Sequence, residues 1–200
     1  MSTQPATLRV LLIDDGARHI PLIRDELTRL GYVVVGVIDS ATLIHDCVVQ
    51  LTPDVVIVDS ESPTRDTLEH LAVLSASNPR PVVVFTDTDS HDPLQQAMQA
   101  GVSAYVVDGL HPRRLAPVLQ VAIARFAQDK ALRAQLDEAH TQLAERKLIE
   151  RAKGILMSRG ACSEDQAFGQ LRKLAMDRGQ RLGQAAARIV EARDLLHPPA

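Results

Sequence analysis

Five short, nearly all-apolar runs constrain this chain more than any other feature. They lie at residues 8–13 (LRVLLI), 32–37 (YVVVGV), 54–58 (DVVIV), 81–85 (PVVVF) and 103–107 (SAYVV). Strands that are apolar at almost every position need cover on both faces. Between them, at 20–30, 41–50, 67–77 and 93–100, apolar residues recur at helical spacing. Strand-helix alternation of this kind predicts an α/β fold with a five-stranded parallel, doubly wound sheet. Gly31 and Gly101 stand where a C′ glycine ends a helix, and Ser40 stands where an N-cap begins one.

The chain has 200 residues, enough for one good core and a small second module. Pro112 opens a long helix, a favourable place for a residue that lacks an N–H. Read as uninterrupted, its ~40 residues span about 60 Å, more than the domain beside it. Leu115, Leu119, Ala122 and Phe126 form one apolar stripe. Leu132, Leu136, Ala139 and Leu143 form a second with 4-3-4 spacing, offset like a stutter in a coiled coil. A helix that outreaches its domain has to bury that stripe, which predicts a parallel homodimer; the alternative is a monomeric helix folded back on the sheet. Arg151 to Met157 read as the end of this helix. Ser163 with Gln166 three residues on marks a capping box. The helix that follows would carry Ala167, Phe168, Leu171, Leu174 and Ala175 on one face and stop at Gly179, and a last helix covers 182–195. The expected layout is a disordered tail at 1–7, a sheet domain at 8–125, a helical linker at 126–145 and a three-helix module at 146–195. A module of that size presents a surface rather than a cavity.

Charge divides along the same line. Residues 1–145 hold eleven Lys+Arg and nineteen Asp+Glu, net −8, whereas 146–200 hold eleven and six, net +5. A basic C-terminal module suits a polyanionic partner, and it equally suits a solvated arginine-rich face. No apolar run approaches the ~20 residues of a membrane span, and the first residues lack the features of a secretory signal. A cytoplasmic protein with no membrane partner is expected. Cys47 and Cys162 fall in no paired motif and read as free thiols. The seven histidines show no metal-ligand spacing.

In an open parallel sheet, functional residues gather at the carboxyl ends of the strands. Asp14 and Asp15 follow the first strand, Asp59 the third, Thr86 and Asp87 the fourth, and Asp108 the fifth. Carboxylates gathered that closely repel one another unless a cation or strong hydrogen bonds hold them. Mg²⁺ is the natural candidate, because it takes hard oxygen ligands and keeps its waters. Capping of the following helices accounts for Asp15 or Asp59 singly but not for the set.

With these residues the stretch 8–125 resembles a response-regulator receiver domain of the flavodoxin-like fold. The likeness rests on Asp14-Asp15, on Asp59 in the run Val58-Asp59-Ser60-Glu61-Ser62-Pro63, and on Thr86. It implies Mg²⁺ held by Asp14, Asp15 and Asp59, with Asp59 as the phosphoacceptor and Thr86 bonding the phosphate. The family then places a lysine after the fifth strand. Here that position is Asp108, so an ammonium that would neutralise an aspartyl phosphate is replaced by a carboxylate that repels it. Asp87, where the family has a small residue, adds to the repulsion. The expectation is a degenerate receiver switched by protein docking. Phosphorylation rescued by an extra metal or a partner's cation is the competing account.

The run Ala152-Lys153-Gly154-Ile155-Leu156-Met157, with Ala167-Phe168, Leu171-Arg172 and Ala175-Met176 downstream, resembles the ANTAR domain of RNA-binding antitermination regulators. That resemblance implies binding to leader RNA with two hairpins and hexanucleotide loops. Ala152, Gly154, Ala167 and Ala175 read as sites of close helix packing, and Leu156, Phe168, Leu171 and Met176 as core. Lys153, Arg172, Lys173, Arg178 and Arg181 are then the candidate RNA contacts, with no aromatic stacking platform. More narrowly, "GVSAYVVDGLHP" and "DSESP" are similar to the NasT group of nitrate/nitrite-assimilation antiterminators. This implies an inhibitory nitrate-sensing partner (NasS-like), related to periplasmic solute-binding proteins.

Two rival classes differ in what they need. A phosphorylation-activated DNA-binding regulator would share the receiver and the long helix, and Gln184, Arg188 and Arg193 on the last helix keep that reading open. A metal-dependent phosphotransfer enzyme would need its acids two apart after the first strand, and Asp14 and Asp15 are adjacent. No Ser-His-Asp, Cys-His or P-loop arrangement is present, so no enzyme is expected.

Overall fold

The computed structural model describes residues 7–14, 20–87, 91–107, 109, 111–160 and 162–196. The expected site residues Asp15 and Asp108, and all but the last residue of the expected disordered tail, lie outside the described residues. The chain divides into two compact units, Met1–Lys130 and Ala131–Ala200.

The first unit is the expected α/β sheet. Strands β1 (Arg9–Asp14), β2 (Val33–Ile38), β3 (Val55–Ser60), β4 (Val82–Thr86) and β5 (Ala104–Val106) are all parallel, in the order β2-β1-β3-β4-β5. Helices α1 (Ile20–Arg29), α2 (Ile44–Leu51), α3 (Arg65–Ser77), α4 (His91–Gln99) and the start of α5 (Pro112–Gly160) cover its two faces. Alternation along the strands sorts the side chains. Leu11, Ile13, Val56, Val58, Val82 and Val84 face Ile44, Val48, Leu71 and Ala97. Val10, Leu12, Val55, Ile57, Val83 and Phe85 face Ile23, Leu27, Leu115, Leu119 and Ala122. Both faces are dry, which is why the runs lack a polar alternate.

The expected elements are present with shifted ends. β1, β3 and β4 each run one or two residues further than their apolar runs and take in Asp14, Asp59 and Thr86. Backbone ladders do not stop at a polar side chain, and the strand ends carry the functional positions inside the sheet. Helix α3 begins earlier than its apolar pattern because Thr64 caps it, its hydroxyl accepting from Thr67 N–H at 3.2 Å. Ser40 caps a short 3₁₀ turn, Ala41–Leu43, ahead of α2. Gly31 and Gly101 take positive φ, +79° and +85°, the left-handed conformation that only glycine adopts without strain. Pro117 lies inside α5, so the helix read as uninterrupted lacks one hydrogen bond in its second turn.

In the second unit α5 continues to Gly160, and α6 (Glu164–Asp177) and α7 (Leu182–Leu196) complete a three-helix arrangement. Its core is thin and rich in alanine: Ala152, Ile155, Leu171, Ala175, Ala185, Ala186 and Val190. Both arms of the capping box form at α6. Ser163 Oγ accepts from Gln166 N–H, and Gln166 Oε1 accepts from Ser163 N–H at 3.0 Å. The start of α7 is held from α5, where Glu145 Oε1 accepts from Gly183 N–H at 3.1 Å. A Cβ at Gly183 would press on the Glu145 side chain, which would have to shift and loosen this hydrogen bond.

Candidate functional site

At the carboxyl edge of the sheet, parallel register puts Asp14 opposite Asp59 and Ser60 opposite Thr86. Neighbouring strands lie about 4.8 Å apart, so the two carboxylates project from adjacent positions with the same facing. Asp14 is only 5% exposed and Thr86 1%, while Asp59 is half-buried. The Thr86 hydroxyl donates to the Glu61 carbonyl at 2.9 Å, tying β4 to the loop after β3. Close to Thr86, burial of the Tyr105 phenol pushes its pKa up. Gly109, φ +69°, donates its N–H to the Thr86 carbonyl at 2.9 Å. A side chain there would strike the Asp87 carboxylate. Glycine thus lets the turn after β5 close against β4 and its exposed acid.

The described donors are hard carboxylate oxygens at two adjacent strand ends. Among the described residues, no group of three or more His, Cys, Asp and Glu side chains is gathered to hold a metal. Two carboxylates with retained waters nevertheless suit Mg²⁺, and Asp15, the third expected ligand, lies outside the described residues.

The second unit carries a different kind of site. Arg172, Lys173, Arg178 and Arg181 are all exposed, on α6 and on the turn that follows it. Lys153 is not part of this face. It is 8% exposed, and its ammonium donates to Glu164 at 2.6 Å and pairs with Glu150 at 2.9 Å. The Glu164 hydrogen bond, followed by that of Glu150, raises the Lys153 pKa, and Lys153 in turn lowers that of Glu164. Lys153 therefore joins α5 to the start of α6, and its charge is spent inside the module.

The apolar expectations divide. Ala152, Ala167, Leu171 and Ala175 are buried as expected, and Leu156 packs at the core margin. Phe168 and Met176 are not core: they are 41% and 71% exposed. Ala167, Leu171 and Ala175 already form the contact row of α6, and a core lined with alanines brings the helices too close to admit a phenyl ring. Gly154 is exposed and a Cβ there would meet nothing within 4 Å, so it serves no packing contact.

Comparison with known proteins fits both units. Residues 10–120 match the response regulator receiver domain, and residues 137–190 match the ANTAR domain. The transcriptional regulatory protein PdtaR of Mycobacterium tuberculosis is 31% identical over 92% of this chain and 89% of its own length. The chain is an ANTAR-type response regulator. A nitrate regulatory protein of Klebsiella oxytoca is 42% identical over 64 residues, 32% of this chain and 16% of that protein. Among solved structures, the receiver domain of a modulated diguanylate cyclase from Desulfovibrio desulfuricans G20 aligns with a TM-score of 0.54 at 24% identity. It covers 62% of this chain and 98% of that one, a likeness of fold alone. ANTAR-type response regulators form a class of RNA-binding antitermination regulators without enzymatic activity of their own. In this regulator no described helix is long and apolar enough to cross a membrane.

Proposed function

We propose that this regulator controls transcription antitermination by binding a leader RNA with two hexaloop hairpins, in the service of nitrate/nitrite assimilation. The observation that carries the reading is the exposed cationic set on α6 and its following turn, Arg172, Lys173, Arg178 and Arg181. These residues stand on a module with net charge +5 in a chain of net charge −3. Cations grouped on one small unit can neutralise loop phosphates and release their counterions. Stabilising such hairpins would keep the nascent RNA from forming a terminator.

On this reading the receiver is a docking module for an inhibitory sensor protein (NasS-like). Support comes from charge: in the sequence Asp108 stands in place of the lysine that would meet a phosphoryl group, and Asp87 is exposed directly after β4. A phosphoryl group on Asp59 would have no counter-cation from that position and would face added negative charge. Receiver domains generally bind Mg²⁺ at this place. Here Asp14 and Asp59, with Asp15, would hold it, and it would offset the clustered carboxylates. The similarity to a nitrate regulatory protein supports the nitrate context. The exposed Leu132, Leu136 and Leu143 support a parallel homodimer through α5.

Single-round transcription through a leader carrying the two hairpins and a terminator tests the function. Added protein should raise read-through, and the sensor without nitrate should abolish that rise. Equal termination with and without the protein would exclude antitermination.

A further inference from the structure

On the reading that the C-terminal unit binds RNA, and against the sequence expectation of no aromatic platform, we propose that Phe168 is a stacking platform for an unpaired base, set in a row with Arg172 and Met176. Residues four apart along a helix lie on one face, so Phe168, Arg172 and Met176 line the outer side of α6, and all three are exposed. The adjoining row, about 100° round the helix, buries Ala167, Leu171 and Ala175. One exposed apolar side chain is ordinary. Two in register with a guanidinium, and with Lys173 beside them, form a surface that offers apolar area and positive charge together.

That combination selects its partner. An unpaired nucleotide brings a π face for the ring and a phosphate for the cations. Duplex DNA hides its base faces in the stack. The row is also open to close approach, because Gly169 next to Phe168 is exposed and a Cβ there would meet nothing within 4 Å. Charge along the row is graded. Glu164, one turn before Phe168, is held by Lys153 at 2.6 Å, and Lys153 is shared with Glu150, so this end of the row remains acidic. Asp165 stays exposed at that end, so a bound phosphate is directed to the Arg172 and Lys173 end. The base then lies over Phe168, with Met176 closing the far side of the row.

The sequence contains no tryptophan, so Phe168→Trp places a single reporter in the full-length protein. Binding of a hexaloop hairpin RNA should quench the indole emission and saturate at the same concentration as the anisotropy of the labelled RNA. Phe168→Ala should weaken binding about ten-fold or more, within the range of one base–aromatic stack, and leave the salt dependence unchanged. Phe168→Leu, which keeps apolar volume without a π face, should lose nearly as much. Arg172→Ala should instead flatten the salt dependence by about 0.7 in log–log slope. Wild-type affinity in Phe168→Ala, full recovery in Phe168→Leu, or an indole indifferent to saturating RNA would each overturn the stack. A loss of self-association in Phe168→Ala at unchanged RNA affinity would assign the ring to a second copy and overturn it too. Failure of the wild-type protein to bind any hairpin would overturn the RNA reading beneath it.

Discussion

The two units handle charge and packing in opposite ways. The receiver sheet is buried on both faces by two separate sets of Leu, Ile, Val and Phe side chains, and it holds carboxylates at the edge of that rigid frame. The C-terminal unit has one thin, alanine-rich core, and it holds cations on the outside. A deep core fixes a pocket by locking its strand ends. A thin core brings helices close and pushes the larger side chains, Phe168 and Met176, into solvent. The receiver's chemistry is therefore a matter of position, and the small unit's chemistry is a matter of surface.

The comparison breaks most visibly at Leu171, fully buried at the centre of the small core. Leu171→Ala should cost about 2–5 kcal/mol. In a unit this small that should unfold α6 and α7 and abolish RNA binding. Hydrogen exchange should then show α6 and α7 amides unprotected while β1, β3 and β4 keep their protection. Equal loss in both units would show that they fold as one.

Next in size are the surface cations. Arg172→Ala and Lys173→Ala should each lower RNA affinity several-fold at moderate salt and reduce the salt slope by about one phosphate contact, read by anisotropy titrations at several salt concentrations. Lys153→Ala should act differently, lowering the stability of the second unit without the selective change in slope.

A smaller effect is tied to pH. Glu164 has its pKa lowered by Lys153, so its contribution is complete above the ordinary glutamate value near 4.3. It is lost as pH falls through the lowered folded value. Lys153 has its pKa raised by Glu164 and Glu150, so its share is present below the ordinary lysine range and fades only as pH rises through the raised value. Thermal melts of Glu164→Gln should lose this acid-side dependence, and an unchanged profile would remove the pair from the account. Smallest of all, Asp59→Asn should leave RNA binding and sensor release nearly unchanged. A large loss of signalling in a folded Asp59→Asn protein would restore phosphorylation as the switch.

The sheet was legible because its strands are buried on both sides, and continuous apolar runs leave little choice of fold. The pocket was legible for the same reason: once the strands are placed, Asp14, Asp59 and Thr86 must share one edge. The strand ends were less so, because hydropathy falls at an aspartate whereas a backbone ladder continues through it. The basic module was legible in its caps and its alanines. Its sides were misjudged at Phe168, which sits one position from Ala167 and so at the margin of the buried row. Only the spacing between the helices, set by alanines on all three, decides that the ring stays outside. Lys153 shows the same limit. Its charge is plain in the sequence, but the partner that spends it, Glu164, lies eleven residues on across a turn.

The most direct test of the account is fluorescence anisotropy of the full-length protein with a labelled two-hairpin, hexaloop RNA, set against duplex DNA of equal length at the same salt. Tight binding to the RNA and weak binding to the DNA is the expected result. Preference for the duplex would contradict it and make the chain a DNA-binding response regulator.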